Sequence, residues 1–240
     1  MVPERLLPAD WSFAPPDFVG IGAQRAGTSW WYSLVTAHPG VYHPPLTPKE
    51  RNYFVFPPSA PATAAQAAGY RRIFPRPKGL ITGDWTPEYM FDFWTPALLH
   101  EAVPDARLLV LLRDPVERFR SAKQRTAREA TIAFERGFYW AQLQRVLAHF
   151  DRERLLVLQY ERCCASPEPE LRRTYAFLGL DADFEPEAPG RPVNAARVPK
   201  PELAPGLLQG LREAYRPDAE ALAEAFPTID LTLWRTLLGP

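Results

Sequence analysis

Neither sign of charge is in excess in this sequence. Its 28 lysine and arginine residues equal its 28 aspartate and glutamate residues, so the formal net charge at pH 7 is zero. Proteins that bind nucleic acid irrespective of sequence need a broad positive surface potential. Such binding is therefore not expected, and any site for an anionic ligand must be built locally from a few basic side chains.

Long apolar runs are also absent. No segment approaches the roughly 18 consecutive apolar residues that indicate a transmembrane helix. Residues 1–16 include Glu4, Asp10 and several prolines, whereas a secretory signal peptide needs an uninterrupted apolar stretch. We expect a cytoplasmic protein with no membrane span.

Cysteine is scarce. The two cysteines, Cys163 and Cys164, are adjacent in sequence and match no spacing that is typical of metal ligands. Neighbouring cysteines do not easily reach the geometry of a disulfide with each other. The sequence therefore predicts neither a disulfide framework nor a bound metal.

What the sequence does contain is enough apolar material for one sizeable core. The chain has 240 residues, of which 46% are hydrophobic, and we expect one domain over residues 1–240. Short apolar segments with strand character occur at 18–21, 80–82, 107–112 and 155–158. Segments with helical patterning occur at 63–73, 96–102, 115–129, 137–150, 167–178 and 207–226.

This alternation of strands and helices predicts an α/β fold of the P-loop type. We expect a parallel sheet of about five strands with helices on both faces. In such folds the ligand binds beyond the carboxyl ends of the strands. The residues that follow Ile21, Thr82, Leu112 and Leu158 are therefore the first candidates for a functional site.

Residues 22–29, Gly-Ala-Gln-Arg-Ala-Gly-Thr-Ser, have the frame of a phosphate-binding loop between a strand and a helix. The glycines let backbone N–H groups converge on an anion at the positive end of the helix dipole. A nucleotide kinase has lysine where this chain has Thr28, and the positive charge lies instead at Arg25. The loop suits a nucleotide with a short 5' anionic chain, with Arg25 near the leaving group. The alternative is a glycine-rich turn without a ligand.

A second candidate anion site follows the strand at 107–112. Arg113 ends that strand, Asp114 can cap the next helix, and Ser121 lies within about two turns of its start. A guanidinium and a hydroxyl at one helix entrance can bind a phosphate. Two anion sites on adjacent loops indicate a ligand that is phosphorylated at two places.

Together these two segments resemble the sulfotransferases that use 3'-phosphoadenosine 5'-phosphosulfate, in particular their heparan-type and bacterial carbohydrate branch. The loop at 22–29 resembles the family's 5'-phosphosulfate loop, with Arg25 in place of its usual lysine, and the segment from Arg113 to Ser121 resembles its 3'-phosphate motif. The resemblance implies binding of this donor and of its product, 3'-phosphoadenosine 5'-phosphate, without a metal. The residues that it assigns to the nucleotide are Gln24, Arg25, Ala26, Gly27, Thr28, Ser29, Trp30, Arg113, Ser121 and Arg197.

Lys49 and Glu50 resemble the Lys-Glu segment of the same branch, in which the glutamate is the general base. The resemblance implies that Glu50 takes the proton of the acceptor while Arg25 and Lys49 stabilise the charge on the sulfuryl and leaving-phosphate oxygens. His43 is the competing candidate for the base, because imidazole titrates near neutrality.

Thr86-Pro87-x-Tyr89 resembles an acceptor-side element of this branch, with Trp85 where a lysine is common. We therefore expect Trp85 and Tyr89 to contact the acceptor. Asp84 could orient the acceptor, assist the base or simply cap a turn. The implied acceptor is a small-molecule or carbohydrate-like compound with a hydroxyl or an amine.

Two other functions stay open on the residues alone. A P-loop kinase or NTPase would turn over ATP with Mg²⁺, although Thr28 and Arg113 stand where such enzymes need a lysine and a strand-end aspartate. A non-catalytic module would be stabilised by 3'-phosphoadenosine 5'-phosphate and would sulfate no acceptor.

Overall fold

The central sheet is parallel. The computed structural model describes residues 8–44, 47–56, 64–122, 126–187 and 202–239. Within these residues the sheet has four strands, one fewer than the expected number of about five. They are β2 (Phe18–Gly22), β4 (Gly83–Trp85), β5 (Arg107–Leu112) and β6 (Leu155–Gln159), in the order β4-β2-β5-β6, and a separate antiparallel pair consists of β1 (Trp11–Phe13) and β3 (Pro75–Pro77).

Helices connect the strands and cover the sheet, which confirms the predicted α/β class. No helix in the described part of the chain is both long and apolar enough to cross a membrane. The helices are α1 (Thr28–Ala37), α2 (Ala64–Arg71), α3 (Thr95–Ala102), α4 (Pro115–Ser121), α5 (Ala127–Glu135), α6 (Tyr139–Leu147), α7 (Tyr160–Ala165), α8 (Pro167–Leu178), α9 (Pro205–Ala225) and α10 (Arg235–Leu238), with 3-10 turns at Arg152–Arg154 and Leu231–Leu233.

Strand β5 shows why both faces of the sheet are covered. Side chains alternate between the two faces of a strand. Leu108, Val110 and Leu112 enter one apolar core, which also contains side chains of α3, α6 and α9. Leu109 and Leu111 enter a second core with side chains of α1 and α8. The unbroken apolar run at this strand is therefore a consequence of burial on both sides.

One predicted strand lies later in the chain than expected. The strand predicted at 80–82 is observed as Gly83–Trp85, and Ile81 forms only an isolated bridge. The N–H of Thr82 donates to the carboxylate of Asp17 at 2.8 Å. A side chain thus accepts the N–H of Thr82, whereas the carbonyl of Thr82 accepts the backbone N–H of Asp17 at 2.8 Å. Regular pairing of β4 with β2 starts one residue later, at Gly83.

The single helix predicted at 115–129 is two helices. The first ends at Ser121, and the second begins after Thr126. The Thr126 side chain accepts the N–H of Glu129, and the Glu129 carboxylate accepts the N–H of Thr126. This reciprocal capping box starts a second helix near the end of the predicted one, and that helix continues to Glu135.

The carboxyl ends of the four strands lie at one edge of the sheet because the strands are parallel. Strand β2 leads into the loop before α1, and β5 leads into Arg113. Strand β6 leads into Tyr160, and β4 leads into Thr86. Segments that are far apart in sequence therefore meet at this edge.

Candidate active site

A cleft of about 280 Å³ opens at the carboxyl edge of the sheet. Residues from the loop after β2, from the end of β5 and from the end of α4 line it. The structure thus brings Glu50 and most of the predicted nucleotide contacts into one cavity. The lining residues are Gln24, Arg25, Gly27, Thr28, Ser29, Trp30, Glu50, Pro87, Glu88, Arg113, Ser121 and Tyr160.

Gly27 determines the shape of the loop at the start of α1. Its φ of 88° lies in the left-handed region, and a Cβ atom there would come within 2.6 Å of the Tyr160 ring. Its carbonyl accepts the N–H groups of Trp30 (3.0 Å) and Trp31 (3.2 Å). The loop is therefore held close to the helix N-terminus, where the helix dipole favours an anion.

Arg25 and Arg113 connect the two candidate anion sites. Nη1 of Arg113 donates to the carbonyl of Arg25 at 3.4 Å, and Nε of Arg25 donates to the carbonyl of Ser121 at 2.8 Å. The Arg113 guanidinium also lies over the Tyr160 ring, 4.9 Å from its centroid. The two motifs therefore form one continuous, positively charged wall of the cleft.

The C-terminal part of the chain holds the end of β5, and the sequence did not predict this contact. Asp114 caps α4 as expected through Oδ1, whereas its Oδ2 accepts the N–H groups of Thr236 (2.9 Å) and Leu237 (3.1 Å). The Glu161 carboxylate accepts the N–H of Asp114 (2.9 Å) and the indole N–H of Trp234 (3.0 Å). Burial raises the pKa of Glu161 to about 7. Helix α10 thus fixes the residue next to Arg113.

Lys49 and Glu50 approach the cleft from the segment between α1 and α2. Nζ of Lys49 donates to Oγ1 of Thr28 at 3.0 Å and pairs with Oε1 of Glu50 at 3.1 Å. Burial lowers the pKa of Lys49, and the Glu50 carboxylate opposes that shift. The Glu50 side chain is 43% exposed, compared with 15% for Lys49. Glu50 is therefore accessible to an incoming acceptor, and Lys49 faces the loop.

His43, the competing candidate for the base, lies outside the set of residues that line the cleft. Its Nδ1 is 3.1 Å from the hydroxyl of Tyr32. Burial and, to a smaller extent, the positive charge of Arg51 lower the pKa of His43. The geometry favours Glu50 over His43 as the group that meets an acceptor.

The three residues predicted to contact the acceptor lie in the protein interior. Asp84 and Trp85 are fully buried, and Tyr89 is 1% exposed. The indole N–H of Trp85 donates to the carbonyl of Gly22 at 3.2 Å, and the Tyr89 hydroxyl donates to Asp84 at 3.1 Å. These residues therefore support the cleft from behind, rather than forming part of its surface.

Glu88 lines the cleft and was missed in the sequence, where it is the variable position of Thr86-Pro87-x-Tyr89. Its Oε1 accepts the side-chain N–H of Gln24 at 2.8 Å and Nη1 of Arg136 at 2.9 Å. Its Oε2 forms a second bond with the same guanidinium. No local pattern predicts a pair between residues that are 48 positions apart.

Ala26 and Arg197 are the other two predicted nucleotide contacts. Ala26 is fully buried, its N–H donates to the carbonyl of Ala23 at 3.3 Å, and it is not among the residues that line the cleft. Arg197 lies outside the described residues, and its role stays a prediction.

Comparison with known proteins identifies the family. A model of the sulfotransferase family matches residues 60–186, which is more than half of the chain. The chain belongs to the sulfotransferase family. The matched range contains the segment from Arg113 to Ser121, and the loop at 22–29 precedes it.

Curated relatives of this chain include two mammalian enzymes. Mouse heparan sulfate glucosamine 3-O-sulfotransferase 3B1 is 27% identical, and the match covers 84% of this chain and 61% of that protein. The human 3B1 enzyme is 28% identical with the same coverage, 84% and 61%. The chain therefore spans about three fifths of the length of these relatives.

Solved structures of sulfotransferases resemble this chain as well. A sulfotransferase from Alicyclobacillus acidocaldarius is 26% identical and superposes with a TM-score of 0.74 over 92% of this chain and 99% of that chain. The sulfotransferase domain from the curacin biosynthetic pathway is 15% identical, with a TM-score of 0.53 over 78% of this chain and 82% of that chain. The second likeness is one of fold alone.

Proposed function

We propose that this protein transfers a sulfuryl group from 3'-phosphoadenosine 5'-phosphosulfate to a hydroxyl or amine of a carbohydrate-like or other small-molecule acceptor. The observation that supports this most strongly is the link between Arg25 and Arg113, which joins two anion sites across one cleft at 3.4 Å. A ligand with anionic groups at both its 5' and 3' positions matches such a pair of sites. The family membership of the chain supports the same donor.

The residues of the cleft fit a bisphosphorylated nucleotide. The loop at 22–29 and Arg25 would hold the 5' phosphosulfate, and Arg113 with Ser121 would hold the 3' phosphate. Trp30 lines the cleft, and its buried Nε1 has no hydrogen-bond partner among the described residues. A buried donor without a partner is costly, so a ligand atom that accepts its hydrogen bond would be favourable. The donor itself supplies an activated sulfuryl group with a good leaving group.

Glu50 is the proposed general base. It pairs with Lys49 but is 43% exposed, so its free oxygen can accept the proton of an acceptor hydroxyl in the cleft. Arg25 and Lys49 are positive groups beside the loop, and they would stabilise the charge on the sulfuryl and leaving-phosphate oxygens. In this proposal Arg25 and Lys49 neutralise the negative charge that Mg²⁺ neutralises in a kinase.

The chemistry of the cleft disfavours the two alternative functions. A P-loop kinase needs an aspartate at the strand end to hold Mg²⁺, and the side chain that lines the cleft there is Arg113. A non-catalytic module would not need an accessible carboxylate beside the loop, which Glu50 provides. The relatives named above are heparan sulfate glucosamine 3-O-sulfotransferases, and they motivate our proposal of a carbohydrate-like acceptor. A single domain and a cytoplasmic location are further parts of the proposal.

Two measurements test this function. Isothermal titration calorimetry should show at least 10-fold tighter binding of 3'-phosphoadenosine 5'-phosphate than of AMP, because only the former engages Arg113. A radiolabelled sulfate donor should transfer its label to at least one member of a panel of neutral and anionic oligosaccharides, phenols and amines. Equal affinity for both nucleotides would exclude the proposed donor. Transfer of γ-phosphate from Mg²⁺-ATP without any sulfuryl transfer would establish the kinase instead.

A further inference from the structure

A row of hydrogen bonds ties the segment around Glu50 to the end of β4. The carbonyl of Lys49 accepts the N–H of Trp85 at 3.1 Å. On the other side of Glu50, the N–H of Arg51 donates to Oδ1 of Asp84 at 3.2 Å. Both neighbours of Glu50 in the chain are therefore bonded to two successive residues of β4.

The row continues for two more residues. The N–H of Asn52 donates to Oγ1 of Thr86 at 3.1 Å, and the N–H of Tyr53 donates to the hydroxyl of Tyr89 at 3.0 Å. The same two hydroxyl groups donate to Asp84, that of Thr86 at 2.8 Å to Oδ1 and that of Tyr89 at 3.1 Å to Oδ2. Asp84 therefore bonds to the segment once directly and twice through an intervening side chain.

The Asp84 carboxylate is fully buried, and its fourth donor is the hydroxyl of Tyr70 in α2, at 3.1 Å from Oδ2. Burial raises the pKa of Asp84 to about 6, and the four hydrogen bonds oppose that shift. The carboxylate is therefore ionised at neutral pH, where its hydrogen bonds are charge-assisted and strong. The titratable and charged groups that interact with it are Tyr32, Lys49, Arg51, Tyr70 and Tyr89.

We propose that Asp84 is a positioning residue for the general base: its buried carboxylate holds the backbone on both sides of Glu50 and so sets the position of that side chain in the cleft. This inference rests on the proposed function and, of the roles that the sequence left open for Asp84, favours support of the base over contact with the acceptor. A buried ionised group is expensive unless it is bonded on all sides. The network satisfies that requirement, because four donors bond to the Asp84 carboxylate. The same bonds make the segment around Glu50 a rigid support for the reacting carboxylate.

Two variants of Asp84 test the proposal. Asp84→Ala removes all four bonds, and Asp84→Asn keeps one acceptor oxygen and serves if the alanine variant does not fold. At saturating donor we expect kcat to fall about 10- to 100-fold in Asp84→Ala and less in Asp84→Asn, because small displacements of a catalytic group are costly. The Kd for 3'-phosphoadenosine 5'-phosphate should change less than about threefold, since the nucleotide sites lie on other loops. Hydrogen exchange of the Arg51 amide should become about 10-fold faster or more.

Thr174→Val is the matched control, because Thr174 is a fully buried side chain of α8 that does not line the cleft. Its hydroxyl donates to the carbonyl of Glu170 and accepts the indole N–H of Trp31. It should lower stability without changing kcat or the exchange of the Arg51 amide. A folded Asp84 variant with kcat within twofold of the wild type would overturn the proposal. If the wild type transfers no sulfuryl group, the proposed function fails, and the exchange measurement alone decides the role of Asp84. Unchanged exchange of the Arg51 amide would then overturn it.

Discussion

Nζ of Lys49 lies 3.0 Å from Oγ1 of Thr28, the residue at which a nucleotide kinase would have its loop lysine. The loop thus receives from a neighbouring segment the ammonium that its own sequence lacks. The position differs from that in a kinase, because this ammonium also pairs with Glu50 at 3.1 Å. One lysine therefore connects the loop at 22–29 to the proposed general base.

Replacing Lys49 should slow the reaction more than it weakens nucleotide binding. Lys49→Met removes the charge that we place near the sulfuryl oxygens, and we expect kcat to fall about 100-fold. Lys49→Arg should recover part of the rate, although a planar guanidinium cannot reproduce the contact of the ammonium. The control is Lys78→Met, since Lys78 is exposed beside β3. Equal loss of rate in both methionine variants would contradict the role of Lys49.

Glu50→Gln should separate catalysis from binding. The amide keeps the shape of the side chain but cannot accept a proton, so we expect kcat to fall about 10²- to 10⁴-fold. The Kd for 3'-phosphoadenosine 5'-phosphate, measured by calorimetry, should stay within about twofold. Glu153→Gln, at an exposed residue near the opposite edge of the sheet, should have no effect. Full turnover in Glu50→Gln would remove Glu50 from the mechanism but leave the family membership intact.

Arg113→Ala should reduce the preference for the 3'-phosphorylated nucleotide. A charge-assisted bond is worth about 1.5–3 kcal/mol, so the Kd for 3'-phosphoadenosine 5'-phosphate should rise roughly 10- to 100-fold. Binding of AMP should change far less, because AMP has no 3' phosphate. The control is Arg154→Ala. Arg154 lies just before β6 and pairs with Asp105. A parallel loss for both nucleotides would mean that Arg113 does not read the 3' phosphate.

Glu88 and Arg136 should be energetically coupled. Both side chains are mostly covered, at 19% and 13% exposure, so removing one partner leaves a charge with little access to water. We expect Glu88→Gln and Arg136→Gln each to lower the free energy of unfolding by about 1–3 kcal/mol. The double variant should lose less than the sum of the two, which urea denaturation can measure as a coupling energy. Strict additivity would show that the pair contributes nothing of its own.

The stability of the α10 contact should depend on pH through Glu161. Burial raises the pKa of Glu161 from 4.5 to about 7, so the folded state binds the proton more tightly than the unfolded state between these values. The contribution of this group to the free energy of unfolding therefore falls as pH rises from about 4.5 to about 7, and is constant above that range. At 1.36 kcal/mol per pKa unit, the rise from 4.5 to about 7 corresponds to a total change of about 3 kcal/mol.

Glu161→Gln removes this titration and isolates it from that of other buried carboxylates. The difference in unfolding free energy between wild type and variant should be more favourable to the wild type at pH 5 than at pH 8. Groups common to both proteins cancel in this difference. A difference that is independent of pH, measured by urea denaturation, would rule out titration of Glu161 in this range.

The local sequence was sufficient for the parts of the site that depend on backbone conformation. The loop at 22–29 needs a left-handed residue at Gly27, and the cap of α4 needs an acceptor at Asp114, and both are visible in the sequence. The apolar run of β5 likewise predicts a strand that is buried on both faces. The spacing of Thr126 and Glu129 is that of a capping box, which is a local signal for the split of the helix predicted at 115–129.

By itself, then, the sequence determined the class of fold, the two candidate anion-binding motifs and the order in which they occur. Strand pattern, glycine placement and helix caps depend on residues within one turn or one strand of each other. Only the tertiary structure decided that Asp84 lies behind Glu50, that Glu88 pairs with Arg136, and that α10 holds Asp114. The physical reason is that each of these contacts joins segments far apart in the chain. Their partners are chosen by how the helices pack on the sheet, and no local pattern contains that information.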